Sequence, residues 1–325
     1  MFSTLFAVVV ALALGHLAPS FAAAVRDDGW YRALLRWLDR RFRDAGAWRG
    51  SWGLLLALLP VLLVVGLLQW ALDGLVFGLP ALLFGVAMVF YAWGPRDLDV
   101  DVAAVVDAAD SAERGEALAR LRPPAAAGAA DGGEEIGRVF IAALRRWFGV
   151  LFWFVVLGAV GALLYRLVAI AAEDEPALYL PEGTVAGARR LLVLLDWPVA
   201  QLMALSLALV GNFDVAVSAW KTAGGTGLRR ATRMLAAVGR ASVRQELDED
   251  AEDAAAAPGA PASPAEAPHG VDPDVAVAFA PGIPMASGLG APLDQAMRDA
   301  MSLVWRVLLA WLAVLALFVV AGWVN

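Results

Sequence analysis

The chain has 325 residues, 61% of them hydrophobic and 18% charged, with a mean hydropathy of +0.68. A soluble domain carries about half apolar and about a quarter charged residues, so this composition argues for a membrane protein. The absence of cysteine excludes disulfides, thiolate metal sites and a Cys nucleophile. A net charge of -7, with no basic patch interleaved with aromatics, argues against nucleic acid as a partner.

A bilayer core needs about 20 predominantly apolar residues in a helix. Met1 to Val25 carries no charge at all. The Ala22-Ala23-Ala24 run offers a cleavage site, but the segment lacks the basic n-region of a signal peptide, so a span is expected. Arg32 to Arg43 follows as an amphipathic helix, with Leu34, Leu35, Leu38 and Phe42 on one face and arginines on the other. That pattern suits either a helix on an anionic membrane surface or one packed against the protein.

Ser51 to Leu72 and Gly74 to Pro95 are uncharged, separated only by Asp73. Trp147 to Ile170 carries only Arg166, Leu191 to Val210 only Asp196, and Val304 to Val324 only Arg306. The expected fold is all-α, a polytopic membrane protein with about 5–6 transmembrane helices and small helical cytoplasmic loops. The lipid bilayer is its expected partner. Trp52, Trp70, Trp93, Trp147, Trp305 and Trp323 lie near span ends, where an interfacial aromatic belt would place them.

Arginines crowd 26–50 and 96–146, which reads as cytoplasmic by the positive-inside rule, whereas 171–190 opens on Glu173, Asp174 and Glu175 and reads as external. The expected organisation is 1–95 with three spans and the Arg-rich loop 26–50, a cytoplasmic helical loop at 96–146, a membrane core at 147–221, a cytoplasmic region at 222–291, and a final span at 292–325. In the 96–146 loop, Val102, Val105, Val106 and Ala109 share a helical face, with a stop at Pro123-Pro124. Residues 246–275 are acidic, Ala/Pro-rich and poor in large apolar groups, hence an expected disordered linker holding a solvated His269.

Soluble-enzyme chemistry is hard to find. No P-loop, dinucleotide, metalloprotease or serine-hydrolase motif occurs, and His16 and His269 are far apart. No cofactor and no metal site is expected. The glycine-rich run "TAGGTGLRR" (Thr222 to Arg230) follows no strand pattern and reads as a flexible loop rather than a phosphate cradle. A transporter is disfavoured by the scarcity of ionisable residues and of paired broken helices in the spans.

Polar residues at membrane depth carry the functional expectation. Arg166 either snorkels to the interface or pairs with Asp196. Gly158 and Ala162, four apart, would let a neighbouring helix approach closely. In "LLDWPV" Asp196 is expected to cap a helix, Trp197 to sit in the interface and Pro198 to occupy the first helical turn, with Asn212 a further polar candidate.

The blocks "LFWFVVLGAVGALLYRLV" (Leu151 to Val168) and "LLDWPVAQLMALSLALVGNFDVAVSAW" (Leu194 to Trp220), with "AGARRL" just upstream, resemble the AmpE family. These are inner-membrane regulatory signalling modulators encoded beside the AmpD amidase. They belong to the wider CobD/CbiB group of adenosylcobinamide-phosphate synthases, whose LFW…GALLYR helix and PARLTA segment are similar. The resemblance implies a bacterial inner-membrane regulator linked to peptidoglycan recycling and β-lactamase induction, with a functional tie to an AmpD-type amidase. The synthases' acidic Glu-Asn-x-x-Asp-Gly motif has no counterpart here, since Gly137 to Gly149 contains no carboxylate, and Gln201 follows Val199-Ala200 where the triplet Pro-Ala-Arg would end. The regulator is therefore the preferred expectation and the synthase the alternative.

Overall fold

The computed structural model describes residues 10, 28–73, 78–93, 97–121, 132–173, 175–256 and 290–321. The first apolar segment, His16, Pro123-Pro124, His269, Trp323 and the linker beyond residue 256 lie outside the described residues. Every regular element among the described residues is helical.

Helix α1 (Gly29–Phe42) buries Tyr31, Leu35 and Leu38 and leads into the single turn α2 (Gly46–Arg49), whose Trp48 Nε1 donates to Asp39 Oδ1 at 3.1 Å. Helix α3 (Gly53–Leu72) and helix α4 (Leu79–Ala92) follow, α4 being started by a left-handed Gly78 and a proline in its first turn. The amphipathic pattern in the next segment forms two short helices instead of one. Helix α5 (Leu98–Val106) ends before Ala109, and α6 (Ser111–Arg120) begins with Asp110 accepting from the Glu113 amide while Glu113 accepts from the Ala109 amide. Such reciprocal capping starts a new helix and so forces the break.

Helix α7 (Gly132–Ala143), a π-helical turn at Leu144–Phe148 and helix α8 (Gly149–Leu157) run on without interruption. The boundary expected at 146/147 therefore falls inside one rod. The rod ends at Gly158, where φ is +66° and ψ is −150°, a region essentially reserved for glycine. There the chain reverses, and helix α9 (Ala159–Glu173) returns antiparallel along α8. Gly149 faces the Tyr165 ring and Gly161 abuts the Trp153 carbonyl, so neither position has room for a Cβ. From α3, Gln69 Oε1 accepts the Val160 amide at 3.3 Å, supplying one of the partners that a helix start lacks.

The apolar run expected to cross once at 147–170 is thus two limbs of a hairpin. At 15 residues, α9 spans about 22 Å, short of a bilayer core of about 30 Å. It is buried on nearly every side, as an all-round apolar helix must be.

After the short turn α10 (Pro176–Tyr179), helix α11 (Glu182–Val210) starts against the Arg-rich segment. Gly183 and Gly187 touch the carbonyls of Arg49 and Ser51, and the Thr184 hydroxyl donates to the Trp48 carbonyl. Residues 183–187, expected on the opposite side from 26–50, lie beside it, because the hairpin has already brought the chain back. Helix α12 (Phe213–Thr222) then packs on α11 and on α13 (Ala231–Ala256), which in turn lies on α7 with Gly239 under Phe140 and Gly137 against Ala236. The expected linker start at 246 is corrected, since α13 continues to Ala256, helped by the Gln245–Glu249 hydrogen bond and the Glu246–Arg306 ion pair. Helix α14 (Gly290–Val320) closes the bundle.

Among the described residues, four helical stretches are long and apolar enough to cross a membrane: α3, Glu134–Leu157, α11 and Leu293–Phe318 within α14, with α4 a shorter apolar helix. Their outer faces stay apolar, with Leu63 61%, Leu209 71% and Leu317 68% exposed. Trp52 and Trp70 are also highly exposed, as a belt requires. Trp93, Trp147 and Trp305 are not in a belt. Trp93 and Trp147 stack with centroids 6.1 Å apart, Trp305 meets Trp147 edge-on at 5.2 Å, and Trp305 Nε1 donates to Asp99 Oδ1.

Replacing Gly158 by alanine would force an L side chain into the +66° conformation and into the Gln69 amide. A cost of about 1–3 kcal/mol is expected, read as a lower midpoint of thermal unfolding in detergent. An unchanged midpoint would mean that the turn does not need glycine.

Candidate functional site

Within this apolar bundle the charged side chains are gathered, not scattered. The π-helical turn presents two consecutive arginines, and a π turn of this kind often marks a functional position in a helix. Arg145 reaches Glu173 Oε2 with Nη1 at 2.6 Å and Asp196 Oδ2 with Nη2 at 2.8 Å. Arg146 reaches Asp101 Oδ2 at 2.6 Å and donates to the Arg120 carbonyl at 3.1 Å. One turn thus joins α9 and α11 through one arginine, and α5 and α6 through the next.

Asp196 is fully buried in the interior of α11. Its Oδ1 accepts from the Tyr165 hydroxyl at 2.7 Å, while its Oδ2 faces Arg145. The expected cap is therefore corrected: α11 is continuous from Glu182 to Val210, and the Asp-Trp-Pro lies inside it. Pro198 removes an amide donor within the helix. In the turn that it disturbs, the Leu195 carbonyl accepts from Trp153 Nε1 of α8 at 3.1 Å. Tertiary partners thus make Asp196 tolerable in a helix interior, and Trp153 braces the turn next to Pro198.

The expected Arg166–Asp196 pair is also corrected. Arg166 is buried on the next face of α9 and pairs with Asp28 Oδ2 at 2.5 Å. Asp28 in turn receives the Tyr91 hydroxyl at 3.4 Å, and Tyr91 accepts from Trp30 Nε1 at 2.6 Å. Adjacent residues of a helix point about 100° apart, so Tyr165 and Arg166 serve two different clusters. Arg145, which completes the Asp196 cluster, stands four residues before Gly149 in a segment that looked like a loop end. Its signal in the sequence was the Arg145-Arg146 pair directly abutting an apolar run.

The other expected positions have structural roles. Gly158 is the hairpin turn, approached by the Gln69 side chain rather than by a neighbouring helix backbone, and Ala162 is fully buried. Asn212 caps α12, its side chain accepting from the Asp214 and Val215 amides. Trp197 is partly buried and donates to the Thr226 carbonyl at 2.9 Å. Gln201 donates to the Gly225 carbonyl and accepts from Trp220 Nε1. These contacts pin the glycine-rich loop, whose amides at Gly224, Gly225 and Gly227 donate to nearby backbone carbonyls. A phosphate cradle would need those amides unspent.

One cation set between two carboxylates and a phenol holds helices together and fixes their register. Arg145 Nε is left buried without a hydrogen-bond partner. Among the described residues no group of three or more His, Cys, Asp or Glu side chains is placed to hold a metal ion. A separate cleft of about 330 Å³ opens between α8, α11 and α14, and no charged side chain lines it. No protein-family model, curated protein or solved structure matches this chain.

Breaking a buried ion pair from one side costs about 3–5 kcal/mol, because it strands the remaining charge. Arg145→Met should therefore unfold at a markedly lower temperature than wild type, whereas Arg145→Met combined with Asp196→Leu should recover part of the loss. Tyr165→Phe should cost about 1.5–3 kcal/mol, as expected for a hydrogen bond to a charged group. Additive effects in this series would show that the three side chains do not act together.

Proposed function

We propose that the chain is a polytopic bacterial inner-membrane protein of the AmpE type that modulates signalling tied to peptidoglycan recycling and β-lactamase induction. The observation that carries this reading is where the two resembling blocks lie. Trp153 of the LFW block bonds to the Leu195 carbonyl, and Tyr165 of the GALLYR block bonds to Asp196 of the LLDWP block. Residues of the two blocks thus touch one another, and Arg145, from just before the first block, pairs with the same Asp196.

Membrane placement is supported by the broad apolar faces of α3, α11 and α14, which exceed what a soluble surface tolerates. In this reading α3, α4, the rod ending at Gly158, its returning limb α9, α11 and α14 together form the membrane part of the bundle. A buried ionic cluster joining the rod, α9 and α11 suits a protein that transmits a change of helix register.

A synthase of the cobinamide type is the weaker reading, because the charges of the cluster are spent on one another. Alkaline carbonate extraction should leave the protein in the membrane pellet, and its release would refute the placement. In a host deleted for this gene, wild type should restore the normal β-lactamase induction profile, while Asp196→Asn and Arg145→Gln at equal membrane levels should not. Full function of both variants would detach the cluster from the signalling role, and rescue of a cobalamin-synthase deletion would favour the enzyme.

A further inference from the structure

Helix α1 sorts its side chains into three faces. Tyr31, Leu35 and Leu38, at i, i+4 and i+7, are buried against the protein. Trp30, Leu34 and Trp37 repeat the same spacing one residue earlier, and there Trp30 is 43% and Trp37 52% exposed. Arg36, Arg40 and Arg43 repeat it again on a third face, all exposed. With 100° between successive residues, the three stripes lie roughly 120° apart. A helix that only packs against its own protein needs the first face alone. One whose second face is aromatic and whose third is basic is built for the boundary between acyl chains and headgroups.

The surroundings extend this arrangement. Exposed Arg49 follows on α2, and Arg190 of α11 reaches the Ser51 hydroxyl at 3.5 Å. Trp52, 77% exposed, stands at the foot of α3. Among the described residues, the acidic side chains around this platform are Asp39, which is engaged by Trp48 and Arg43, and the exposed Asp44, Glu175 and Glu182, with Asp28 buried against Arg166. Arginine dominates the outward side of α1 itself, where Arg36, Arg40, Arg41 and Arg43 are all exposed.

We propose that this face is a binding site for anionic phospholipid headgroups, with Arg36, Arg40 and Arg43 taking the phosphate and Trp37 and Trp52 seated at the acyl boundary. The inference rests on the membrane placement proposed above and adds to it a lipid class and the residues that select it. Guanidinium groups suit phosphate because they donate in a planar fork. Each basic residue near an anionic surface contributes about 1 kcal/mol, so three together correspond to roughly a hundredfold in affinity.

The test uses the full chain in detergent, delipidated and then titrated with phosphatidylglycerol or phosphatidylcholine, with bound lipid counted by native mass spectrometry. Wild type should retain phosphatidylglycerol in preference to phosphatidylcholine. Replacing Arg36, Arg40 and Arg43 together by Gln should abolish that preference, and the same change at the exposed Arg229, Arg233 and Arg244 should leave it intact. Equal loss in both triple variants, or persistence of the preference in the first, would overturn the site. Retention of an acidic protein in place of lipid would overturn it too. Since the readout is lipid count, its failure is separable from failure of the β-lactamase response.

Discussion

Charges taken out of water into an apolar bundle have to be met by other charges, and the Arg145–Asp196 contact is where this chain meets that requirement. Asp196 sits inside α11 with essentially no exposure, and the arginine that neutralises it comes from a π-helical turn on the rod beside it. Tyr165 holds the second carboxylate oxygen, and Glu173 the other side of the guanidinium. The four partners arrive on three elements, so the pairing is available only when the rod, the returning limb and α11 are in register.

That register depends on one glycine. Because Gly158 adopts a conformation other residues avoid, the chain doubles back and sets Tyr165 over Gly149 and Glu173 near Arg145. The same reversal carries the chain to the side where Trp48, Arg49 and Ser51 receive the start of α11. A local backbone angle thus decides on which side a long segment emerges, and hence the partners of every charge beyond it. The second cluster, Arg166 with Asp28, Tyr91 and Trp30, ties α1 and α4 to the same returning limb.

Much of this was legible from hydropathy alone. The apolar runs around α3, α11 and α14 announce helices of bilayer length, and the one around α4 a shorter helix, because burying backbone polar groups in a helix is what any such run must do. The polar residues inside those runs announce functional or fastening positions, and Arg166 and Asp196 are both buried and paired. Their pairing was not legible. Two charges of opposite sign in neighbouring runs invite a direct bridge, but residues 165 and 166 point to different faces, and only the three-dimensional register tells which one meets Asp196. The hairpin was hidden too, since a glycine in an apolar run reads equally as a packing contact. Pro198 looked like a helix start because a proline inside a helix goes against local preference, and the Trp153 bond that braces the adjoining turn comes from far away in sequence.

The central claim, that Gly158 folds 147–170 into a hairpin and returns the chain to the side it came from, is most directly tested by labelling. The chain contains no cysteine, so single-cysteine variants give an unambiguous signal. Asp44→Cys, Glu175→Cys and Asp73→Cys would each be exposed to a membrane-impermeant maleimide in intact and in opened cells. The structure predicts that positions 44 and 175 behave alike and opposite to position 73. Labelling of 175 together with 73 would mean that the 147–170 run crosses once, and it would remove the basis for the buried cluster.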